Sequence, residues 1–314
     1  MTEPQGQRSA FANGCGITPI RRTRIEVSGS DRASFLHNFC TNDIKKLTPG
    51  EGCEAFFTNV QGKTICHGFL FAQDDSIVID TVADQGEFLV THLDRYLITE
   101  DVKLADRSSE FATLAVGGPT LPAVLERLGL SVPEKYCQHR AGIVADATVS
   151  IFRVNVTSDI SCFLTLAAQR VEAVVNVFLE FGAEHCDETA FTLARVRNGF
   201  PEFGADVTNA NLPQEVDRDT LAISFTKGCY LGQETVARLD ALGHVNRILR
   251  RVSIDCSSGP PQPQDKILFD GKEIGWFGSV VCSGEHHEAF AYLRTEHAAA
   301  GTEFESDGNR IFVQ

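Results

Sequence analysis

Lys227-Gly228-Cys229-Tyr230-Leu231-Gly232-Gln233-Glu234-Thr235-Val236-Ala237-Arg238 gathers more chemically demanding side chains than any other stretch of this chain. Gly228 and Gly232 bracket Cys229 and Tyr230, which suits a loop whose backbone bends or approaches a neighbour closely. From Gln233 to Leu239 the spacing predicts a short helix. Val236 and Leu239 stand three apart, and Glu234 and Arg238 four apart on another face. Cys229 is therefore expected just ahead of a helix N-terminus, two residues from Lys227 and within reach of Arg238. Such surroundings lower a thiol's pKa and make it reactive. The competing reading of the same letters is a small buried hydrophobe beside an exposed helical ion pair.

Outward from this stretch, composition sets the frame. A chain of 314 residues can bury a substantial core and divides into two or three units of ordinary size. Its 43% hydrophobic and 22% charged residues are those of a globular protein. No apolar run approaches the roughly eighteen residues that span a bilayer. Residues 1–11 carry Glu3 and Pro4 without an apolar core, which fits neither a secretory signal nor a transit peptide, so a cytoplasmic location is expected. Ten cysteines in a long chain of this kind read as reduced thiols. None forms a Cys-x-x-Cys pair, and neither Cys66-His67 nor His286-His287 has a second pair at metal-ligand spacing, so no resident zinc or iron–sulfur site is expected. The net charge of −14 argues against a broad nucleic-acid-binding face. Basic clusters at Arg21, Arg22 and Arg24, and at Arg247, Arg250 and Arg251, are each able to hold one anionic ligand.

Before the central stretch, residues 1–16 look like a loose lead-in. A strand at 24–27 leads through Ser28-Gly29-Ser30-Asp31, which caps a helix carrying Phe35, Leu36 and Phe39 and ending at Thr41-Asn42-Asp43. Strands at 55–58 and 65–71 reverse at Gly62, and another is expected at 76–80. Helical spacing covers 84–96, 121–128, 170–180 and 189–198, with strands at 101–106, 111–116, 148–156 and 161–166 between them. The pattern is α+β, with subunits packed together and no nucleotide-binding fingerprint. Cys66 and His67 are neighbours on one strand and point to opposite faces, so they cannot form a nucleophile–base dyad; His67 is expected in the core or on the surface. His244 is expected at the turn into the C-terminal strands. These strands, at 247–254, 266–269, 272–276, 278–282, 288–293 and 310–313, surround the Asp270-Gly271 hairpin turn and read as a small antiparallel barrel. The division expected is 1–242 and 243–314.

The central stretch resembles, almost letter for letter, the K-G-C-[FY]-x-G-Q-E-x-x-x-R signature of the YgfZ family, folate-binding proteins related to the glycine-cleavage T-protein. Ile25-x-Val27-x-Gly29-x-Asp31-x-x-x-Phe35-Leu36 with Thr41-Asn42-Asp43, and Arg195 through Pro201 with Gly204, Asp206, Pro213-Gln214-Glu215 and Ile223-Ser224-Phe225, extend the resemblance. It implies a T-protein-like folate-binding domain of packed α+β subdomains around a central cavity, followed by the barrel. It also implies tetrahydrofolate as ligand, with Tyr230, Gln233, Glu234 and Arg197 near it. Cys229 is then a reactive thiol whose ionised form Lys227 and Arg238 favour. The role implied is support of iron–sulfur cluster assembly or repair with client or assembly proteins as partners, any effect on tRNA modification being indirect, and with neither direct nucleic-acid nor membrane binding. Two departures stand out. The Gly62-Lys63-Thr64-Ile65-Cys66-His67 stretch has no carboxylate where T-proteins carry one beside the one-carbon chemistry. Arg197 stands where T-proteins place a Glu against the pterin, and a guanidinium only donates. The alternatives are a folate-dependent aminomethyltransferase and a non-catalytic folate-sensing module.

Overall fold

Residues 64–72 explain how the first half is layered. They form β4 (Thr64–Ala72), a strand buried at every position, and a strand without a polar face must be covered on both sides. It lies in a five-stranded antiparallel sheet with β2 (Arg22–Ser28), β3 (Gly52–Thr58), β5 (Ser76–Val82) and β6 (Lys103–Asp106), in the order β3-β4-β5-β2-β6. One face packs on α1 (Arg32–His37) and α2 (Gly86–Asp94) through Phe35, Leu36, Leu89 and Leu93. The other presents Phe69 and Phe71, which meet Phe152 and Phe163 of a second sheet. A computed structural model describes residues 10–243, 245–284 and 286–314, Leu242 without its side chain, so the expectation for His244 lies outside the described residues.

The second sheet contains β1 (Gly16–Ile20), β7 (Phe111–Gly117), β8 (His139–Val144), β9 (Ala147–Arg153), β10 (Ser161–Ala167) and the two-residue β11 (Glu184–His185), in the order β11-β1-β7-β10-β9-β8. Its outer face is covered by α3 (Leu121–Arg127) and α4 (Val171–Glu180), whose Leu121, Leu125, Val174 and Phe178 are buried. The chain then runs through α5 (Glu188–Arg197), capped by the Asp187 side chain, and the short α6 (Asp219–Ala222) to α7 (Gln233–Leu242). The mixed α+β architecture is as expected. The lead-in is not loose where it is described: residues 10–13 are helical, Ala10 and Phe11 are buried, and β1 begins three residues on. Asp31 starts α1 without a side-chain cap; its carboxylate instead accepts the Asp101 N–H at 2.9 Å.

The last sheet contains β12 (Arg247–Cys256), β13 (Lys266–Phe269), β14 (Lys272–Ser283), β15 (His286–Arg294), β16 (Glu303–Ser306) and β17 (Asn309–Val313), in the order β13-β14-β15-β12-β17-β16. Its two edges approach each other, with the Leu268 N–H donating to Ser306 Oγ at 2.9 Å, so the barrel is nearly closed. The strands expected at 272–276 and 278–282 are one strand, β14. A register shift between Phe277 and Val280 bends it without ending it. That bend docks the barrel: Asp206 accepts the Ser279 N–H at 2.7 Å and binds Arg195 of α5 at 2.6 Å. No helix among the described residues is long and apolar enough to cross a membrane.

Candidate functional site

The Cys229 loop is held by what lies on either side of it. Lys227 is buried, and its Nζ donates to the carbonyls of His37 at 2.6 Å, Cys40 at 2.6 Å and Asn42 at 2.8 Å. These carbonyls sit at and beyond the C-terminal end of α1, where helix carbonyls lack intrahelical partners and a cation is favoured. Burial lowers the Lys227 pKa. An ammonium has three donors, and all three are spent here, so Lys227 anchors the loop and has none left for a thiol. Tyr230 is buried beside Phe56, Leu193 and Val236, its ring 5.0 Å from the Lys227 Nζ. Leu231 is tied at both backbone groups, to Asn38 O at 2.9 Å and to Thr58 Oγ1 at 2.5 Å. Gly228 and Cys229 remain exposed between these anchors.

Gly232 caps α7 with φ +82°, and a Cβ there would lie 2.3 Å from the Asn59 carbonyl. The β3–β4 turn is thus pressed against the start of α7, and only glycine fits the contact. Gln233 is half-buried at the first helical position, while Glu234 and Arg238 are exposed. Among the described residues no hydrogen bond joins the side chains of Gln233, Glu234 or Arg238 to Cys229. Below the loop lies a residue that sequence reasoning missed: a side chain added at Gly228 would come within 3.7 Å of His37 Nε2. His37 is buried, and desolvation together with the Lys227 charge lowers its pKa.

A second cluster lies at the centre of the first sheet. Glu54 of β3 is fully buried and takes a bidentate guanidinium from Arg218, one arm at 2.6 Å, with the Tyr136 hydroxyl and His67 Nε2, the latter at 2.7 Å. Arg218 also covers the Phe200 ring at 4.9 Å, and the His67 ring stacks on Phe56 at 4.6 Å. Burial alone would raise the Glu54 pKa, but Arg218 and the hydrogen bonds hold it well below the usual carboxylate range. Desolvation, with Glu54 nearby, pushes the Tyr136 hydroxyl well up. His67 is a core residue. Cys66 points the other way, to Thr81 Oγ1 at 3.3 Å, so no dyad forms. The one local hint of this cluster was a glutamate within the apolar run at 53–57.

Arg197, in the last turn of α5, lines a cavity of about 420 Å³ that also includes Phe11, Pro119, Ile160, Leu193 and Asp159. Its Nε pairs with Glu288 of β15 at 3.3 Å, and its Nη2 binds the Ser283 hydroxyl. Thr157 Oγ1, on the same wall, is buried without a hydrogen-bond partner. Tyr230, Gln233 and Glu234 are not among the residues lining this cavity. Among the described residues no group of three or more His, Cys, Asp or Glu is arranged to hold a metal ion.

Residues 10–227 match the GCVT N-terminal domain, about two thirds of the chain. The chain belongs to this family. A chloroplastic Arabidopsis thaliana protein provisionally named a transferase is 26% identical over 298 residues, covering 93% of this chain and 68% of its own length. The tRNA-modifying protein YgfZ of Escherichia coli is 24% identical over 258 residues, covering 82% of this chain and 77% of its own. Among solved structures, the glycine cleavage system aminomethyltransferase T from Bartonella henselae superposes with a TM-score of 0.83, 98% of this chain and 87% of that one, at 19% identity. The family fold, barrel included, therefore spans nearly all of this chain.

Proposed function

We propose that this chain is a YgfZ-type, folate-binding member of the GCVT N-terminal domain family. In this reading it acts in the cytoplasm and supports iron–sulfur cluster assembly or repair in client proteins through Cys229. One observation carries the reading: of the ten cysteines, Cys229 alone is exposed, and it stands on a loop whose flanks are anchored. A thiolate is a soft ligand for the iron of a cluster. A single exposed thiol cannot retain a cluster, and suits transient contact with a cluster carried by a partner. Any effect on tRNA modification is then a consequence of cluster supply.

Tetrahydrofolate fits the Arg197 cavity by chemistry. Phe11, Pro119, Ile160 and Leu193 give apolar walls, Asp159 offers an acceptor for ring N–H groups, and the unpartnered Thr157 hydroxyl offers a further hydrogen bond. Arg197 can only donate, so it suits the carboxylates of the folate tail better than the pterin ring. Bound there, the folate would supply a carrier for one-carbon groups. Gln233 and Glu234 are assigned to orienting a ligand or partner at the mouth of the Cys229 loop, Arg238 to presenting a cation to that ligand or partner, and Tyr230 to shaping the wall beneath it. Against aminomethyl transfer, Thr64–Ala72 carries no carboxylate, and the oxygens of nearby Glu54 are engaged by Arg218, Tyr136 and His67.

The test pairs calorimetric titration of 5-formyltetrahydrofolate with an assay of folate-dependent aminomethyl transfer. Saturable binding without transfer is expected, with affinity weakened in Arg197→Ala and unchanged in Cys229→Ala. Transfer at enzymatic rates would replace this reading with the transferase one.

A further inference from the structure

The cavity lined by Arg197 is smaller than a second one elsewhere on the molecule. This second cavity lies on the barrel, holds about 830 Å³, and is walled by β12, β14 and the end of β15. Its floor is aromatic: Trp276 of β14 stacks on Tyr292 of β15, with centroids 5.0 Å apart and planes inclined 26°. The Arg247 guanidinium lies 4.6 Å from the centre of the Trp276 ring, held there by Glu215 at 2.9 Å. Tyr292 is fully buried, and its hydroxyl has no hydrogen-bond partner among the described residues, an orphaned polar group of the kind that calls for a functional explanation. At the rim Arg294 is exposed and its guanidinium makes no ion pair or hydrogen bond among the described residues. The rim acids are answered locally, Glu273 by Lys266 at 2.8 Å and Glu296 by His297 at 3.6 Å.

We infer that this barrel cavity binds a planar aromatic anion, a ring carrying a phosphate or carboxylate. The ring lies against the Trp276–Arg247 wall, where stacking and guanidinium contact both favour a flat π-system. Arg294 takes the anionic group with its free donors. The basic cluster noted in the sequence divides accordingly: Arg247 serves this cavity, whereas Arg250 and Arg251 turn to Asp217 and to the Arg197 carbonyl. This site goes beyond the folate reading and does not depend on it, because its lining shares no residue with the Arg197 cavity.

Trp276 is the only tryptophan of the chain, so its fluorescence reports on this cavity alone. The full-length protein is titrated with adenosine 5′-monophosphate, with p-aminobenzoyl-glutamate, and with ribose 5-phosphate as the ring-free anion. Saturable quenching by a ring anion and none by ribose 5-phosphate is expected. The two ring arms separate a nucleotide from a folate-type source. In Arg294→Gln the affinity falls about tenfold, as loss of one charged hydrogen bond implies. Calorimetry on Trp276→Phe checks binding without the reporter and is expected to retain it in weakened form. Absence of saturable quenching by either ring anion, equal quenching by ribose 5-phosphate, or unchanged affinity in a folded Arg294→Gln overturns the inference.

Discussion

Cys229 owes its exposure to the residues buried beside it. Lys227→Met would remove three hydrogen bonds and leave the carbonyls of His37, Cys40 and Asn42 without their shared donor. A loss of about 3 kcal/mol in urea denaturation is expected, within the range for unpaired buried polar groups. Loosening of the loop should also speed alkylation of the buried Cys40. At Glu54 the expectation concerns pH. Its folded pKa is depressed, so the folded state binds fewer protons, and its contribution to stability is complete above the unfolded carboxylate pKa of about 4.3. That contribution is lost as pH falls below this value. Glu54→Gln, which leaves the largely buried Arg218 guanidinium without its carboxylate, should cost about 3 kcal/mol at pH 7. Its gap from wild type should narrow on acidification from pH 5 to pH 3, as read by thermal unfolding. A constant gap would show that Glu54 is not held ionised by Arg218.

At the scale of elements, the contact between the β3–β4 turn and the start of α7 sets where Cys229 sits. Gly232→Ala combines a positive φ with a Cβ 2.3 Å from the Asn59 carbonyl, so a cost of about 2 kcal/mol or more is expected, checked by chemical denaturation. Gly243→Ala, at the other end of α7, has positive φ but open space around it, and should cost about half as much. Much at this scale was legible in the sequence. The run at 65–71 announced a strand, Asp270-Gly271 announced a hairpin, and the spacing from Gln233 announced α7. The misses have physical causes. Pro19 interrupts any strand pattern at 16–20, yet β1 pairs along its length with β7, while its pairing with β11 stops at Ile17, short of the proline. β8 and β16 are short and half-exposed, and α6 is a single turn. Such elements are decided by tertiary packing more than by local preference.

For the molecule as a whole, the sites are products of long-range closure. Glu54 and His67 share the β3–β4 hairpin while Tyr136 and Arg218 come from two distant stretches, and no local pattern ties a glutamate on β3 to an arginine 164 residues away. Lys227 reaches carbonyls up to 190 residues away, which is why its sequence neighbour Cys229 suggested a different role for it. The twelve-residue signature was legible and led to the family. What its side chains touch was not, because a motif records residue types and the fold decides their partners. Phe69, Phe71, Phe152 and Phe163 join the first two sheets, and Arg195 with Asp206 joins them to the barrel. One exposed thiol is left on that frame. The most direct measurement is the activity of an iron–sulfur enzyme in cells lacking their own YgfZ, supplied with this protein or with its Cys229→Ala variant at equal soluble levels. Restoration by the wild type and not by Cys229→Ala is the predicted result. Equal restoration by both would contradict a working role for the thiol, and restoration by neither would contradict the iron–sulfur assignment.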